Sequence, residues 1–316
     1  MSFSKSNIDP NRVTQYAHPQ AWLKDSHPPY RYHIDNADIS SILGVCWESP
    51  WSIWDQIRSQ RLHTPRIQRF NQLLKWTPIL RRLFESQTGR SCDLTWRRIQ
   101  HEEIEWAHTS LFSLSYDSLE DCYGGILFFI SNHPELFCED GNVIREWSSS
   151  LIPANIAMEG YWTLLCSGLP FVDITVAFPS QHNFIDVRVI RLYANLDVQK
   201  GIEYAAKVWR ERHLVQGVPP QLDGSRECSS HLMERYRHGG QKIRKASKAE
   251  EELLQEYNSL GEDLKKLQER QRLLRNQLFA QVANDKGFQT KNGSKAIVSR
   301  SAKGFQLRTF IKKEKV

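Results

Sequence analysis

Gly124-Gly125-Ile126-Leu127-Phe128-Phe129-Ile130-Ser131 is a continuous apolar run introduced by two glycines, and it predicts a buried strand. Residues two apart on a strand share a face, so Phe128 and Ile130 point the same way. Further along, residues 172–178 alternate as a strand, with 187–193 as its hairpin partner. A helix is predicted over about 196–216, with Tyr204, Val208 and Trp209 on its apolar side. The Gly- and Pro-rich segment 217–225 ends it.

The glycine-led run resembles the catalytic strand of PD-(D/E)XK nucleases of the YqaJ and lambda-exonuclease type, which reads G-G-[IL]-L-E-[IV]-K-[CT]-P. In that family the Glu holds a divalent metal and the Lys helps position and activate water. Phe128 stands at the Glu position and Ile130 at the Lys position. Residues 101–114 resemble H-x-E-x-x-W-x-x-[AT]-[ST]-x-D-G-L, with Phe112 at the metal-binding Asp and Ser113 at the Gly. Residues 77–89 resemble a helix E-P-x-x-x-x-x-[YF]-x-x-x-T-G, with Thr77 at its Glu. Residues 152–168 match V-P-x-x-x-x-x-Q-x-Q-x-x-x-x-x-T-G, with Glu159 and Tyr161 at the two Gln positions.

The resemblance extends over most of the chain. Trp22 and residues 31–54 are similar to the family's opening, whose Arg and Ser hold the 5′-phosphate of a DNA end. Arg31 stands at the Arg position and Ala37 at the Ser position. Segment 217–225 is similar to its G-x-P-P-x-x-D-G-S ending. The resemblance implies an α/β fold: a mixed central sheet flanked by helices, followed by a long C-terminal helix and a β-hairpin. It also implies that the metal-binding and water-activating positions have been replaced. Two-metal hydrolysis needs a cluster of oxygen ligands, whereas Phe and Ile in such a pocket fill it and need no metal. Each buried Phe or Ile contributes on the order of 1.5–3 kcal/mol.

With 316 residues the chain is long enough for one large domain with an extension, or for two. Three regions are expected: a nuclease-fold core over 1–228, a heptad-patterned helical region over 229–286 and a basic hairpin tail over 287–316. No secretory signal or long apolar stretch stands out, so the expectation is a soluble protein of a bacterial or phage-infected cytoplasm. The six cysteines are scattered and contain no C-x-x-C, so no zinc module is predicted. Some relatives hold an iron–sulfur cluster with one early and three late cysteines. Only Cys228 is late here, and no cofactor is expected.

The net charge is +6, with the basic excess near the end. Lys312, Lys313 and Lys315 belong to a tail that either meets phosphates through non-specific electrostatics or is a solvated strand face with a frayed terminus. Residues 249–283 read as one helix. In it Leu253, Tyr257, Leu260, Leu264, Leu267, Gln271, Leu274 and Leu278 recur in alternating steps of four and three. This seam packs either on a second helix of the same chain or on another subunit. Residues 296–311 predict a hairpin turning at Lys303-Gly304.

Other residues carry two readings each. His101, Glu102, Glu103, Glu105 and His108 form either a relocated metal site or a hydrated loop. Asp117, Glu120 and Asp121 read as a solvated hairpin loop, and 139–142 as a turn. Trp47, Trp51 and Trp54 either stack on single-stranded bases or pack. Arg81, Arg82, Arg97 and Arg98 are candidates for DNA-backbone contacts, weighed against plain surface charge.

Three functions follow. The first is a non-catalytic, DNA-associated accessory protein of phage-type recombination, with an annealing protein, an active nuclease subunit or a second copy as partner. The second is an active Mg2+-dependent 5′→3′ exonuclease whose ligands have moved to acids such as Glu103, Asp121 or Glu159. The third is an interaction protein that does not bind DNA.

Overall fold

The computed structural model describes residues 8–25, 33–46, 48–59, 64–131, 138–139, 142–143, 152–179, 185–240, 243–282, 285–291, 293–301 and 304–310. The chain forms two compact units, Met1–His238 and Gly239–Val316. In the first, β1 (Val13–Tyr16) is followed by α1 (Pro19–Asp25), α2 (Asn36–Ile42), α3 (Pro50–Ser59) and α4 (Thr64–Thr88). Four strands come next: β2 (Trp96–Gln100), β3 (His108–Leu111), β4 (Ser113–Asp117) and β5 (Cys122–Ile130). The short pair β6 (Cys138–Glu139) and β7 (Asn142–Val143) precedes α5 (Ala154–Ser167), β8 (Phe171–Pro179) and β9 (Ile185–Tyr193). The unit closes with α6 (Leu196–Trp209), which continues as a π-helical turn over Arg210–Val215, and α7 (Arg226–Arg235).

The central sheet has the order β4-β5-β8-β9. It is mixed: β5 and β8 are parallel, while β4 and β9 pair antiparallel on either side. A parallel pair needs a long crossover, and here that connection carries α5. Strands β1, β2 and β3 form a second, antiparallel sheet. The glycine-led run is a central strand, as its unbroken apolar sequence predicts, and 172–178 with 187–193 form the expected hairpin.

The alternation of β5, β8 and β9 gives the central sheet two faces. One carries Leu127, Val172, Ile174, Val176, Ile190 and Leu192 and packs with Ile156 and Leu164 of α5. The other carries Ile126, Phe128 and Ala177 and packs under Leu80 and Phe84 of α4. A third cluster, around Ile34, Ile53, Trp162 and Trp209, joins α2, α3, α5 and α6. The apolar side of α6 is corrected by this packing. Ile202, Ala206 and Trp209 are buried at helical spacing, whereas Tyr204 is 71% and Val208 48% exposed.

In the second unit, α8 (Lys248–Val282) is the single long helix expected. It precedes an antiparallel sheet of β10 (Gly287–Gln289), β11 (Lys295–Ser301) and β12 (Gly304–Phe310). Ser301 faces Gly304 in the hairpin register, and Lys303 lies outside the described residues. Among the described residues no helix is long and apolar enough to cross a membrane.

Candidate functional site

Phe70, Leu73, Thr77, Leu80 and Phe84 recur at alternating steps of three and four, so they line one face of α4. That helix covers the sheet face of Ile126, Phe128 and Ile130, which brings Thr77, Phe128 and Ile130 to the same side of the sheet. Phe128 is 8% exposed and Ile130 packs beside it with Leu73, Trp76, Val187 and Val189 at the edge of the cluster. Thr77 is buried, and its Oγ1 donates to the Leu73 carbonyl at 2.8 Å. Such back-bonding satisfies the hydroxyl within its own helix. Pro78 follows, and its missing N–H removes one rung of the helix.

Phe112 stands in the gap between β3 and β4 and belongs to an aromatic group with Trp22, Phe70 and Trp96. Its ring centroid is 4.4 Å from that of Trp96 and 5.1 Å from that of Trp22, with Phe70 at 6.3 Å. Phe70 and Trp22 are themselves 4.6 Å apart, and the Trp22 Nε1 donates to the Ser110 hydroxyl at 3.1 Å.

Thr77, Phe112, Phe128 and Ile130 together offer one side-chain oxygen, already donating to a carbonyl. A divalent hard cation requires about six oxygen ligands with carboxylates among them, and this set does not fit one. The acids considered as substitutes lie on separate elements. Glu103 is exposed in the turn before β3, and Asp121 is in the β4–β5 turn at a φ of 49°. Glu159 is on α5, where the Ser40 hydroxyl donates to it at 3.4 Å. Among the described residues, no three His, Cys, Asp or Glu side chains come together as a metal-holding group.

An ion network lies on the same sheet face, one row from Phe128. Ile126 pairs with Asp173, and Asp173 with Arg191, across the three strands. Arg191 donates to Asp173 at 2.9 Å, to Asp117 at 2.7 Å and to Glu120 at 2.6 Å. Arg90 donates to Asp173 and sits 3.4 Å from Asp117. The Arg191 guanidinium lies 3.7 Å from the Phe171 ring centroid. Burial works against its charge, yet the hydrogen bonds to Asp173 and Asp117 outweigh it, and the Arg191 pKa is raised. Burial likewise opposes the Asp117 charge, but Arg191 holds the carboxyl below its ordinary range.

The solvated-loop reading of Asp117 is therefore corrected. It ends β4 and is 6% exposed, because two guanidiniums supply the partners that water would otherwise provide. Glu120 keeps the loop reading: it is exposed in the β4–β5 turn, where it accepts from Arg191 and from the Tyr193 hydroxyl at 2.7 Å. The central residue, Asp173, was missed in the sequence. The available signal was one carboxylate inside an otherwise apolar strand, where an unpaired charge is too costly to persist.

The arginine candidates separate. Arg97 and Arg98 are buried on β2, 3% and 6% exposed, so neither is plain surface charge. Arg97 pairs with Asp93, and the Arg98 Nε lies 3.8 Å from Asp35. Arg81 donates to Glu85 at 3.0 Å on the flank of α4, and Arg82 is exposed. Ala37 is exposed on α2, while Tyr161 is half-buried between two hydrophobic clusters. Arg31, Lys312, Lys313 and Lys315 lie outside the described residues, as does Trp47. Trp51 is buried, and the Trp54 Nε1 donates to the His213 carbonyl at 2.8 Å, which favours their packing role.

The imidazole and acid cluster divides as well. The His101 Nδ1 accepts from the Glu103 and Ile104 amides, capping the turn. His108 is not in a hydrated loop: it begins β3, is 5% exposed and stacks on His33 at 4.5 Å. Burial lowers the His108 pKa to about 4, helped by the charges of His33 and Arg98. Burial also lowers that of His33 to about 4, with Arg98 and Arg210 adding to the effect. Glu103, Glu105 and Trp106 line a shallow cavity of about 320 Å³ with Glu203 and Lys207 of α6.

No model of a known protein family matches the chain, and no curated protein matches its sequence. Among solved structures, the chain is similar to an alkaline exonuclease, LHK-Exo, from Laribacter hongkongensis, at 10% identity and a TM-score of 0.44. The match covers 68% of this chain and all of that one. The structure of LHK-Exo in complex with dAMP matches with the same identity and score, over 68% of this chain and 97% of that one.

Proposed function

We propose that this chain is a non-catalytic, DNA-associated protein built on a nuclease frame, acting as an accessory in DNA recombination or metabolism. The observation that carries the reading is the packing of Thr77, Phe128 and Ile130 between α4 and the central sheet, with Phe112 in its aromatic group. In the resembling family those positions supply metal ligands and the water-activating amine. Here they supply apolar contacts, and the chain's own residues do no proton transfer there. DNA association rests on the motif resemblance and on the basic excess near the C-terminus.

The test is incubation of purified protein with linear duplex DNA and Mg2+ or Mn2+, alongside a binding titration at several salt concentrations. The expected result is intact DNA with salt-dependent, sequence-tolerant binding. Processive digestion that persists after removal of contaminating nucleases refutes the non-catalytic reading. An absence of binding at low salt refutes the DNA-associated one.

A further inference from the structure

The apolar seam of α8 is uncovered along most of its length. Leu253, Tyr257, Leu260, Leu264, Leu267 and Leu274 are between 44% and 74% exposed. Only near its end does the helix find cover: Leu278 is half-buried and Val282 is buried, where α8 packs on β11. Five leucines and a tyrosine in heptad register along one exposed helix face are a contact surface that has not been used.

The charges of α8 indicate what covers it. Residues 248–264 carry six acids and one base, Lys248, whereas 265–282 carry five bases and one acid, Glu269. The helix macrodipole accounts for acids in the first turn, such as Glu250 and Glu251, but its influence fades within a turn and does not reach Asp263 or Arg270. A helix acidic in its first half and basic in its second is complementary to itself when reversed.

We infer that α8 pairs antiparallel with α8 of a second copy of this chain, through a two-fold axis between Leu264 and Leu267. In that register Leu264 meets Leu267 of the second copy, Tyr257 meets Leu274, Leu253 meets Leu278, and Gln271 lies opposite Leu260. Beside the seam, Asp263 flanks Arg270 of the second copy, twice by symmetry. The parallel arrangement sets the acidic halves side by side and places Arg270 against Arg275 of the other helix, an unfavourable e/g pairing. The inference is independent of whether the first unit binds or cleaves DNA.

Sedimentation and light scattering of the full chain over a concentration series test it. The expected mass is that of two chains, falling toward one as salt rises. Leu260→Glu with Leu267→Glu is expected to abolish the dimer. Asp263→Arg and Arg270→Asp, at surface positions that leave the helix intact, are each expected to weaken it, and the double exchange to restore it. A monomer at every concentration overturns the inference, whether the seam is then covered by the chain's own residues or by solvent. A dimer indifferent to the seam substitutions also overturns it. Strengthening by Arg270→Asp overturns the antiparallel register, because that substitution relieves the clash of the parallel one.

Discussion

Asp173 and Arg191 stand directly opposite each other on β8 and β9, and the Arg191 Nε donates to the Asp173 carboxylate at 2.9 Å. The pair anchors a buried network on the sheet face that also carries Phe128. Asp173 is 1% exposed and accepts from Arg90 as well, so it balances two guanidiniums.

Asp173→Ala is expected to destabilise the fold by about 3–5 kcal/mol, because two partly buried cations lose their shared partner. Chemical denaturation measures it. Asp173→Asn keeps the hydrogen-bonding shape and is expected to cost less. A midpoint unchanged in Asp173→Ala contradicts the network's role.

Phe128→Glu is expected to cost roughly 3 kcal/mol or more, since it places an unpaired carboxylate beneath Leu80 and Phe84. Mg2+ is not expected to rescue the variant while Thr77 and Phe112 remain. Phe128→Leu, which keeps an apolar side chain, serves as the mild control. A Phe128→Glu variant as stable as the parent without metal refutes burial of this position.

Gly124 is needed for close approach. A Cβ there would overlap the Phe171 ring, which is fully buried beneath the Arg191 guanidinium and has no room to yield. Gly124→Ala is therefore expected to lower stability by about 1–3 kcal/mol, as overpacking does. Thermal melting reads the loss, and a neutral substitution would show that the ring can move.

The stacked His33 and His108 predict an acid-sensitive fold. Their pKa values are about 4 in the folded chain against an ordinary 6.5. Between those values the unfolded chain binds more protons, so stability falls as pH drops from about 6.5 toward about 4. Above 6.5 the contribution is fully present. The combined loss is on the order of 2 kcal/mol, discounted for the partial solvent contact of His33. Denaturation midpoints over this range test it, and a slope unchanged in His108→Gln shows that other groups cause it.

The elements legible in sequence are those whose cause is local. An unbroken apolar run made β5 a buried strand, alternation marked β8 and β9, and the four-and-three spacing of leucines marked α8. Tyr204 shows the limit even there. Local pattern placed it on the apolar side of α6, but the neighbours that cover that helix leave it in solvent.

By itself the sequence determined that Phe128, Ile130, Phe112 and Thr77 bring neither carboxylate nor amine, because that is a matter of side-chain identity. Only the tertiary structure decided where they go: Thr77, Phe128 and Ile130 lie between α4 and the sheet, and Phe112 joins Trp22, Phe70 and Trp96. The same holds for charge. Asp117, Arg90, Asp173 and Arg191 come from separate stretches of chain, and among them only Asp173, a lone carboxylate inside an apolar strand, carries a local mark of burial. Asp117 and Arg191 hold their charges because the fold brings each within hydrogen-bond reach of the other. The energy of a buried charge is set by its surroundings in space, which the order of residues along the chain does not display.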